Sequence, residues 1–465
     1  QSLIADTRKQ LVNMPSAELA FVILKNMNEN NADSTIALGT NLGRPPVFVS
    51  KQVLNRIPKM FTATHFQKIM SDEINIAAAE ALKGNWITGD VTPSINQPAA
   101  DTLIAQLQNE YLEKYVDIWE SQLANIQPNT PKNLLQADEM IQNLTNNNSP
   151  LLQLLQTIRQ NTAFDAIMSA SPKITVLNNL INNPNLQESS LYQVFVDLKQ
   201  LHIYLQKILN SSAPDKNAFA AAADRMENPA QNPITAIHQL AEKNPEPLKS
   251  WLNTLANQSW DFILQKASDH IQNAWQTSVL PIYNQQIANH YPFAQNSNND
   301  VNLEQFTRFL GHRGTLANYY LIYLRPFVND TNTQWVWKTV DNQHLPFSDE
   351  LLTRFQHAAQ LQHAFFPEGD NKLSVEFTLQ PVSLDPEMKT LTLNINGQQA
   401  VFQKNGKRLP RTFTWPGNYY SHNTTVSFIT PKSQMVSSTL KGDWGLFRLI
   451  SHSTQGVNAN NALML

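Results

Sequence analysis

The histidines are the residues in this sequence best suited to chemistry, and their spacing argues against a metal centre. The chain has 11 histidines, and no two lie four residues apart, the separation that places two imidazoles on one face of a helix. His357 and His363 are six residues apart, and no H-E-x-x-H sequence occurs. Cysteine is absent, which excludes thiolate ligands, disulfides and cysteine nucleophiles. We therefore predict no metal-ligating residues.

Motifs for phosphate binding and nucleophilic catalysis are also missing. Neither G-x-x-x-x-G-K-[ST] nor G-x-G-x-x-G occurs in the sequence. Gly311-His312-Arg313-Gly314 lacks the Lys-Ser/Thr pair and a preceding strand, so we interpret it as a turn between two helices. No G-x-S-x-G elbow and no supported S-x-x-K motif is present. We therefore predict no catalytic residues, no cofactor and no enzymatic activity.

Composition limits the classes of partner. The chain has 465 residues, with 34 basic and 37 acidic side chains and a net charge of -3. Because no stretch is rich in Lys and Arg, nucleic acid is not an expected partner. No apolar run approaches the roughly 18–20 residues that span a bilayer. The first residue is Gln1 rather than Met, so we expect any membrane anchor to lie before this residue.

Apolar residues recur at helical spacing over the first three quarters of the chain. One stripe comprises Leu112, Tyr115, Val116, Trp119, Leu123 and Ile126, and a second comprises Trp260, Ile263, Ala267, Ile271 and Ala274. Four pairs of a capping residue and a proline predict helix starts: Thr130-Pro131, Ser149-Pro150, Asn232-Pro233 and Asn244-Pro245. This part of the chain is therefore predicted to be helical.

The last quarter has the pattern of strands. Seven of the 13 glycines follow residue 368, and Leu391, Leu393 and Ile395 alternate with polar residues before Asn396-Gly397, a strong hairpin-turn sequence. We predict an α+β fold, in which a mainly helical region of several subdomains precedes a small antiparallel β-sandwich. The expected domains are an N-terminal helical subdomain (1–125), a central helical subdomain (126–285), a helical linker subdomain (286–370) and a C-terminal β-sandwich domain (371–465).

Three aromatic clusters leave two interpretations open. Tyr291-Pro292-Phe293, Trp335-Val336-Trp337 and Trp415-Pro416-Gly417 are either interface anchors or core residues. Core packing is the commoner outcome for such groups, and under that interpretation Trp337 and Trp415 could fill the seam between the helices and the β domain. The sequence does not define which residues bind partners.

An ordered series of motifs resembles the IcmF/TssM family over nearly all of the chain. The longest is Tyr291 to Val328, with Y-P-F, then Asp300, Leu303 and Phe306, then Phe-Leu-Gly and Gly314-Thr315-Leu316. Others are Ile57 to Phe66, which departs from the usual pattern at Lys59 and Met60, Trp86 to Gly89, Tyr111 to Leu123, Ser149 to Thr162, Ala364 to Pro367, Trp415 to Gly417 and Gly442 to Leu449.

The resemblance implies a function in assembly. It implies the periplasmic region of a bacterial inner-membrane protein that is a scaffold of a secretion system. The implied partners are a DotU/TssL-like inner-membrane protein and other envelope components, and the implied assembled state is oligomeric. Only Ile450 to Leu465 follows the G-x-W-x-x-F-R-L element. For this reason, and because the chain is rich in Asn and Gln, we favour IcmF of a type IVB (Dot/Icm) system. TssM of a type VI system, binding an outer-membrane lipoprotein, is the alternative. A periplasmic hydrolase and a substrate-binding module are less favoured rivals.

Overall fold

The protein is described by a computed structural model that covers residues 15–29, 35–38, 46–51, 56–83, 97–146, 148–182, 187, 189, 191–331, 333–417, 421–453, 456–457 and 463–464. It divides into two compact units, one formed by residues 1–221 and 228–263 and the other by residues 222–227 and 264–465. The finer division into four domains stays a prediction. Within the described ranges, no helix combines the length and apolar character needed to cross a membrane.

The first 263 residues are mainly helical. The helices are α1 (Ser16–Glu29), α2 (Ala63–Lys68), α3 (Ile74–Leu82), α4 (Gln97–Asn125), α5 (Leu134–Thr145), α6 (Pro150–Thr162), α7 (Asp165–Ala170), α8 (Pro172–Asn179), α9 (Tyr192–Leu209), α10 (Pro214–Glu227), α11 (Pro233–Ala241) and α12 (Leu248–Ala274). The short strands are β1 (Thr35–Ala37), β2 (Phe48–Ser50), β3 (Arg56–Pro58) and β4 (Ile126–Pro128), which pair β1 with β3 and β2 with β4.

Two of the four predicted helix starts are confirmed. Ser149 and Asn232 each accept a backbone N–H of the first turn, and a proline follows at the first helical position. The other two predictions are wrong by about one turn. Helix α5 begins at Leu134 after the cap Asn133 rather than at Pro131, and α12 begins at Leu248 rather than at Pro245. At the start of α5, the capping side chain is Asn133, which accepts a hydrogen bond from the backbone N–H of Gln136.

Helix α4 carries the core of the first unit. Its buried residues recur every four positions: Leu103, Leu107, Tyr111, Tyr115, Trp119 and Leu123. The predicted stripe is therefore confirmed for Tyr115, Trp119 and Leu123, whereas Leu112 and Val116 are half-buried and Ile126 is buried in β4. The stripe on α12 is confirmed in full, since all five of its predicted residues are buried.

The second unit contains shorter helices followed by sheets. Its remaining elements are α13 (Leu280–Gln286), α14 (Leu303–Leu310), α15 (Thr315–Tyr319), β5 (Val328–Asn329), β6 (Val336–Trp337), α16 (Asp349–Phe365), β7 (Val375–Leu379), β8 (Thr390–Ile395), β9 (Gln398–Gln403), β10 (Arg411–Trp415), β11 (Asn423–Ile429), β12 (Met435–Lys441), α17 (Gly445–His452), β13 (Gly456–Val457) and β14 (Leu463–Met464).

The predicted α+β fold is confirmed by two antiparallel sheets at the C-terminal end. One sheet has four strands in the order β12-β11-β8-β9, and the other pairs β10 with β7. The predicted hairpin joins β8 to β9, where Ile395 pairs with Gln398. Asn396 and Gly397 have φ values of 44° and 85°, the left-handed backbone that an Asn-Gly turn accepts most easily. The Gln398 side chain links the sheets, because it donates to the Thr414 carbonyl at 2.6 Å and accepts from the Thr414 N–H at 3.1 Å.

Candidate functional site: the aromatic junction at the C-terminal sheets

Five aromatic side chains from four family motifs meet where the helices of the second unit join the sheets. We call Phe306, Phe365, Trp415, Trp444 and Phe447 the junction cluster. The ring centroids of Trp415 and Trp444 are 4.9 Å apart, and Trp444 meets Phe306 edge-on at 5.2 Å. Phe365 lies 5.8 Å from Trp415, and Phe447 lies 5.2 Å from Trp444. Such pairs contribute about 0.5–1.5 kcal/mol each beyond their buried area, so the cluster fixes α14, α16, α17 and β10 together.

Hydrogen bonds require tryptophan at two positions of the junction cluster. Both indole rings are fully buried, and a buried indole N–H needs an acceptor. The Trp415 N–H donates to the Asp443 carbonyl at 2.7 Å, and the Trp444 N–H donates to the Val301 carbonyl at 2.7 Å. Each ring therefore joins two chain segments that are distant in sequence.

An ion pair supports the same region. The Arg448 guanidinium donates to the Asp300 carboxylate and, at 3.0 Å, to the Ser297 carbonyl. Its central carbon lies 3.9 Å from the centroid of the Tyr291 ring, a cation–π geometry. The Arg448 and Asp300 side chains are 17% and 21% exposed, so the pair is largely withdrawn from solvent. Removing either partner would leave a poorly solvated charge behind.

Gly442 makes room for this ion pair. It has a φ of +91°, and a Cβ atom at this position would overlap the Asp300 carboxylate. Glycine is therefore needed for both its backbone conformation and its missing side chain. Within this motif, Gly442 and Trp444 thus fit the chain between β12 and α17 against residues 300–306.

A second group of family motifs meets within the first unit, around α4. The Tyr111 hydroxyl donates to the Met60 carbonyl at 2.5 Å, and the Trp119 N–H donates to the Phe61 carbonyl at 2.9 Å. The Tyr115 hydroxyl donates to the Asn161 carbonyl at 2.6 Å. Burial raises the pKa of both tyrosine hydroxyls, which keeps them protonated as donors. The spacing Y-x-x-x-Y-x-x-x-W is therefore a set of anchors for the turn at residues 59–61 and the end of α6.

The structure decides between core and surface for the aromatic clusters named from the sequence. Trp415 fills the seam as predicted. Trp337 is buried, as the core interpretation expects, but its ring stacks on His344 and packs on Phe347 beside the β5–β6 pair rather than at the seam. Phe293 remains 42% exposed.

Other predicted motifs are resolved as follows. Gly311 to Gly314 forms the predicted turn between α14 and α15, in which the Gly314 N–H donates to the Gly311 carbonyl at 2.7 Å. The motif Trp86 to Gly89 lies outside the described residues. Within the described ranges, no group of three or more His, Asp or Glu side chains is placed to hold a metal ion. The geometry of both motif groups is that of structural attachment.

The sequence interpretation missed an exposed edge strand. Strand β12 ends the four-stranded sheet, and five consecutive residues from Met435 to Thr439 are exposed. Met435 and Val436 are 67% and 60% exposed, although successive strand residues point to opposite faces. Strands are predicted here from an alternation of apolar and polar residues. A strand that is exposed to solvent on both faces lacks this alternation. In the described part of the chain, β12 pairs only with β11, so one row of its backbone donors and acceptors faces outward.

Comparisons with known proteins match most of the chain. Residues 1–163 match the model "IcmF-related: Intracellular multiplication and human macrophage-killing". Residues 266–371 match the type VI secretion protein IcmF helical domain, and residues 377–465 match the type VI secretion protein IcmF C2-like domain. These models follow one another in the order in which the motifs were found.

A curated relative and two solved structures agree with the family models. The type VI secretion system component TssM1 of Pseudomonas aeruginosa is 24% identical over 97% of this chain, which spans only 45% of the length of that relative. A chain of a type VI secretion system membrane core complex has a TM-score of 0.71 at 18% identity. The match covers 97% of this chain and 90% of that chain. A chain of a type VI membrane complex has a TM-score of 0.67 at 17% identity, and the match covers 99% of this chain and 87% of that chain. By motif order, domain models and fold together, the chain belongs to the IcmF/TssM family.

Proposed function

We propose that this chain is a structural scaffold of a type VI secretion membrane complex and that it has no enzymatic role. The observation that carries the proposal is the shared fold: nearly the whole chain superposes on chains from two type VI membrane complexes. The motifs that identify the family act as attachments between segments, with buried aromatic rings and hydrogen-bonded indoles. A scaffold needs such attachments, because its role is to hold other proteins in fixed positions rather than to catalyse a reaction.

The type VI assignment replaces the type IVB preference drawn from the sequence. The curated relative and both solved structures are named for type VI systems, and two of the three domain models carry the same name. The preference for type IVB rested on a short C-terminal remainder and on Asn and Gln content. Neither feature outweighs these matches.

The finer part of the proposal concerns location and partners. We propose a periplasmic region of an inner-membrane protein, oligomeric in the assembled complex, that works with a TssL-like inner-membrane protein and other envelope components. An outer-membrane lipoprotein is the candidate partner for the C-terminal sheets. Support comes from the structural neighbours, which are chains of membrane complexes.

Strand β12 is the proposed docking edge on the C-terminal sheets. An edge strand offers backbone N–H and C=O groups to an incoming strand, and alternate side chains then provide specificity. Met435 and Val436 add exposed apolar area at one end of this edge. On the opposite edge of the sheet, β9 alternates between more buried and exposed residues, so only one of its two faces is fully exposed to solvent.

The sheet contains its own matched control for this proposal. Val436 on β12 and Val401 on β9 are both exposed valines on edge strands, at 60% and 54%. We expect Val436→Lys to reduce recovery of envelope partners with the full-length protein, because an added charge on an edge strand disfavours strand addition. Val401→Lys should leave recovery unchanged. The measurement is affinity purification from detergent-solubilised envelopes with quantitative mass spectrometry, beside a secretion assay.

The two substitutions separate the possible failures. If both variants recover partners at the wild-type level, β12 is not the docking edge. If a deletion of residues 370–465 also leaves assembly and secretion intact, the C-terminal sheets are not the docking module. If the folded, abundant full-length protein recovers no envelope component, the scaffold function itself is refuted.

A further inference from the structure

Three loops come together at one end of the C-terminal sheets. We call them, with the first residues of β10 and β12, the loop end: residues 380–389, 404–411 and 430–435. Hydrogen bonds hold them side by side. The Lys389 N–H donates to the Ile429 carbonyl at 2.7 Å, and the Lys404 N–H donates to the Lys389 carbonyl at 3.0 Å. The Lys404 Nζ atom also donates to the Pro386 carbonyl, at 2.5 Å.

The loop end lies at the opposite end of the strands from the junction cluster. The antiparallel register places Thr390 of β8 beside Gln403 of β9 and Ile429 of β11 at the loop end. The other end of β8 carries the Asn396-Gly397 turn, where the Asn396 side chain donates to the Pro416 carbonyl at 2.7 Å, next to Trp415. The helical attachments described above therefore belong to that other end.

Basic side chains outnumber acidic ones at the loop end. It carries two acidic side chains, Asp385 and Glu387, and six basic ones: Lys389, Lys404, Lys407, Arg408, Arg411 and Lys432. All six basic residues are exposed, and none of them is in an ion pair with another described residue. The Asp385 carboxylate accepts the Glu387 N–H at 2.8 Å within its own loop. The result is an excess of four positive charges in a chain whose net charge is -3.

Each part of the loop end also exposes an apolar side chain. Val382, Leu409 and Met435 are 61%, 64% and 67% exposed, and among the described residues no large apolar side chain is more exposed than these three. Each stands on a different loop and beside basic residues. Apolar side chains flanked by lysine and arginine are typical of segments that enter the interface of a bilayer, where the cations meet the headgroups.

We propose that the loop end binds the surface of a bilayer that contains anionic phospholipid, with Val382, Leu409 and Met435 entering the interfacial region. Each Lys or Arg near such a surface is attracted to it without a fixed partner. Six cations spread over three loops suit this diffuse attraction, whereas a single phosphate group requires donors that converge on one point. The proposal goes beyond the scaffold function and does not rest on it, because pure lipid vesicles contain no envelope protein.

The first test measures flotation of the whole chain with vesicles of phosphatidylcholine, alone or mixed with phosphatidylglycerol. The test variant is Lys407→Glu with Arg408→Glu. The matched control is Lys372→Glu with Lys441→Glu, which makes the same change of charge at exposed lysines before β7 and at the last residue of β12, outside the loop end. Thermal unfolding of each variant at the wild-type temperature shows that it is folded.

We expect binding only to the vesicles with phosphatidylglycerol, and we expect it to weaken with salt. The partition coefficient should fall at least about 30-fold in the test variant, because two cations that are attracted to the surface are lost. It should stay within about threefold in the control. The control sites lie about a strand length from the loop end, roughly 15–20 Å, and salt screens charges over roughly 8–10 Å.

The second test locates the contact on the sheets. The chain has no cysteine, so Leu409→Cys and Val401→Cys each provide one site for the environment-sensitive dye nitrobenzoxadiazole. Val401 is the matched position, because it is 54% exposed on β9 and lies outside the loop end. When anionic vesicles bind, emission from the dye at residue 409 should rise and shift to shorter wavelength. Emission from the dye at residue 401 should not change.

Four results would overturn the proposal. They are equal binding to neutral vesicles, an unchanged partition coefficient in Lys407→Glu with Arg408→Glu, an equal dye response at residues 409 and 401, and no binding to anionic vesicles at low salt. The last result would leave the cations to an acidic protein. Displacement by glycerol phosphate beyond that caused by chloride of equal ionic strength would assign the loop end to a soluble phosphate and would also overturn the proposal.

Discussion

Replacing Gly442 by alanine tests whether the junction at the C-terminal sheets depends on the Asp300–Arg448 ion pair. A Cβ atom at Gly442 would overlap the Asp300 carboxylate, and the residue also has a φ of +91°. The chain offers a matched control in Gly369, which has a φ of +74° and where an added Cβ atom would meet nothing within 4 Å. Both substitutions therefore strain the backbone, and only the first displaces Asp300.

The two costs can be separated by magnitude. A non-glycine residue in the left-handed region costs about 1–2 kcal/mol, so this is the expected loss of stability for Gly369→Ala. Displacing a carboxylate from a charged, largely buried hydrogen bond adds about 1.5–3 kcal/mol. We therefore expect Gly442→Ala to destabilise the second unit by about 2.5–5 kcal/mol, roughly 2 kcal/mol more than the control.

Hydrogen exchange followed by mass spectrometry is the appropriate assay, because it reports local opening in a chain with two compact units. Peptides that cover α17, β11 and β12 should lose about 30-fold more protection in Gly442→Ala than in Gly369→Ala, at 1.4 kcal/mol per tenfold change. Peptides from α4 should exchange as in the wild type in both variants.

A double substitution shows whether Asp300 is the cause. Asp300→Ala removes the group that the new methyl would strike, so Gly442→Ala should cost only about 1–2 kcal/mol when added to it. Equal losses of protection in the two glycine variants would refute the steric argument. A fully additive double variant would show that Gly442 acts through some other contact.

Two further predictions concern the first unit. Trp119→Phe keeps most of the buried ring but leaves the Phe61 carbonyl without its donor, so the free energy of unfolding should fall by about 1–3 kcal/mol in urea titrations; no loss would mean that another donor replaces the indole. Burial would raise the pKa of Glu73, but hydrogen bonds from Lys68 and Asn28 outweigh it, and the pKa lies below its usual value of 4.5. Because the folded-state pKa is lowered, this stabilisation is present above the unfolded value and is lost as pH falls through the folded value. Glu73→Gln should therefore flatten the acid side of the curve of thermal stability against pH, and an unchanged curve would contradict this reasoning.

Local features of the fold follow from the sequence because their causes are local. The Asn396-Gly397 turn requires only that two neighbouring residues accept positive φ, and the caps at Ser149 and Asn232 require only a side chain within reach of the next turn. The missed start of α5 has the same explanation in reverse. Where two candidate caps lie within a few residues of each other, as Thr130 and Asn133 do, the sequence alone does not select one.

The order of the family motifs also follows from the sequence, but their meeting in space does not. Asp300 and Arg448 are 148 residues apart, and Val301 and Trp444 are 143 residues apart. Pairing over such distances depends on the packing of every element between them. The position of an aromatic ring depends on the same packing. Trp415 therefore lies at the seam as the core interpretation expected, whereas Trp337 is buried elsewhere.

The α+β class, most helical faces and the family can be read from the amino-acid sequence, because periodicity, turn residues and motif order are properties of the chain. Two features depend on the packed molecule instead: the membership of the junction cluster and the strand that is left as an exposed edge. Exposure and enclosure are set by neighbours that are remote in sequence. An exposed strand such as β12 therefore leaves no periodic pattern by which the sequence could reveal it.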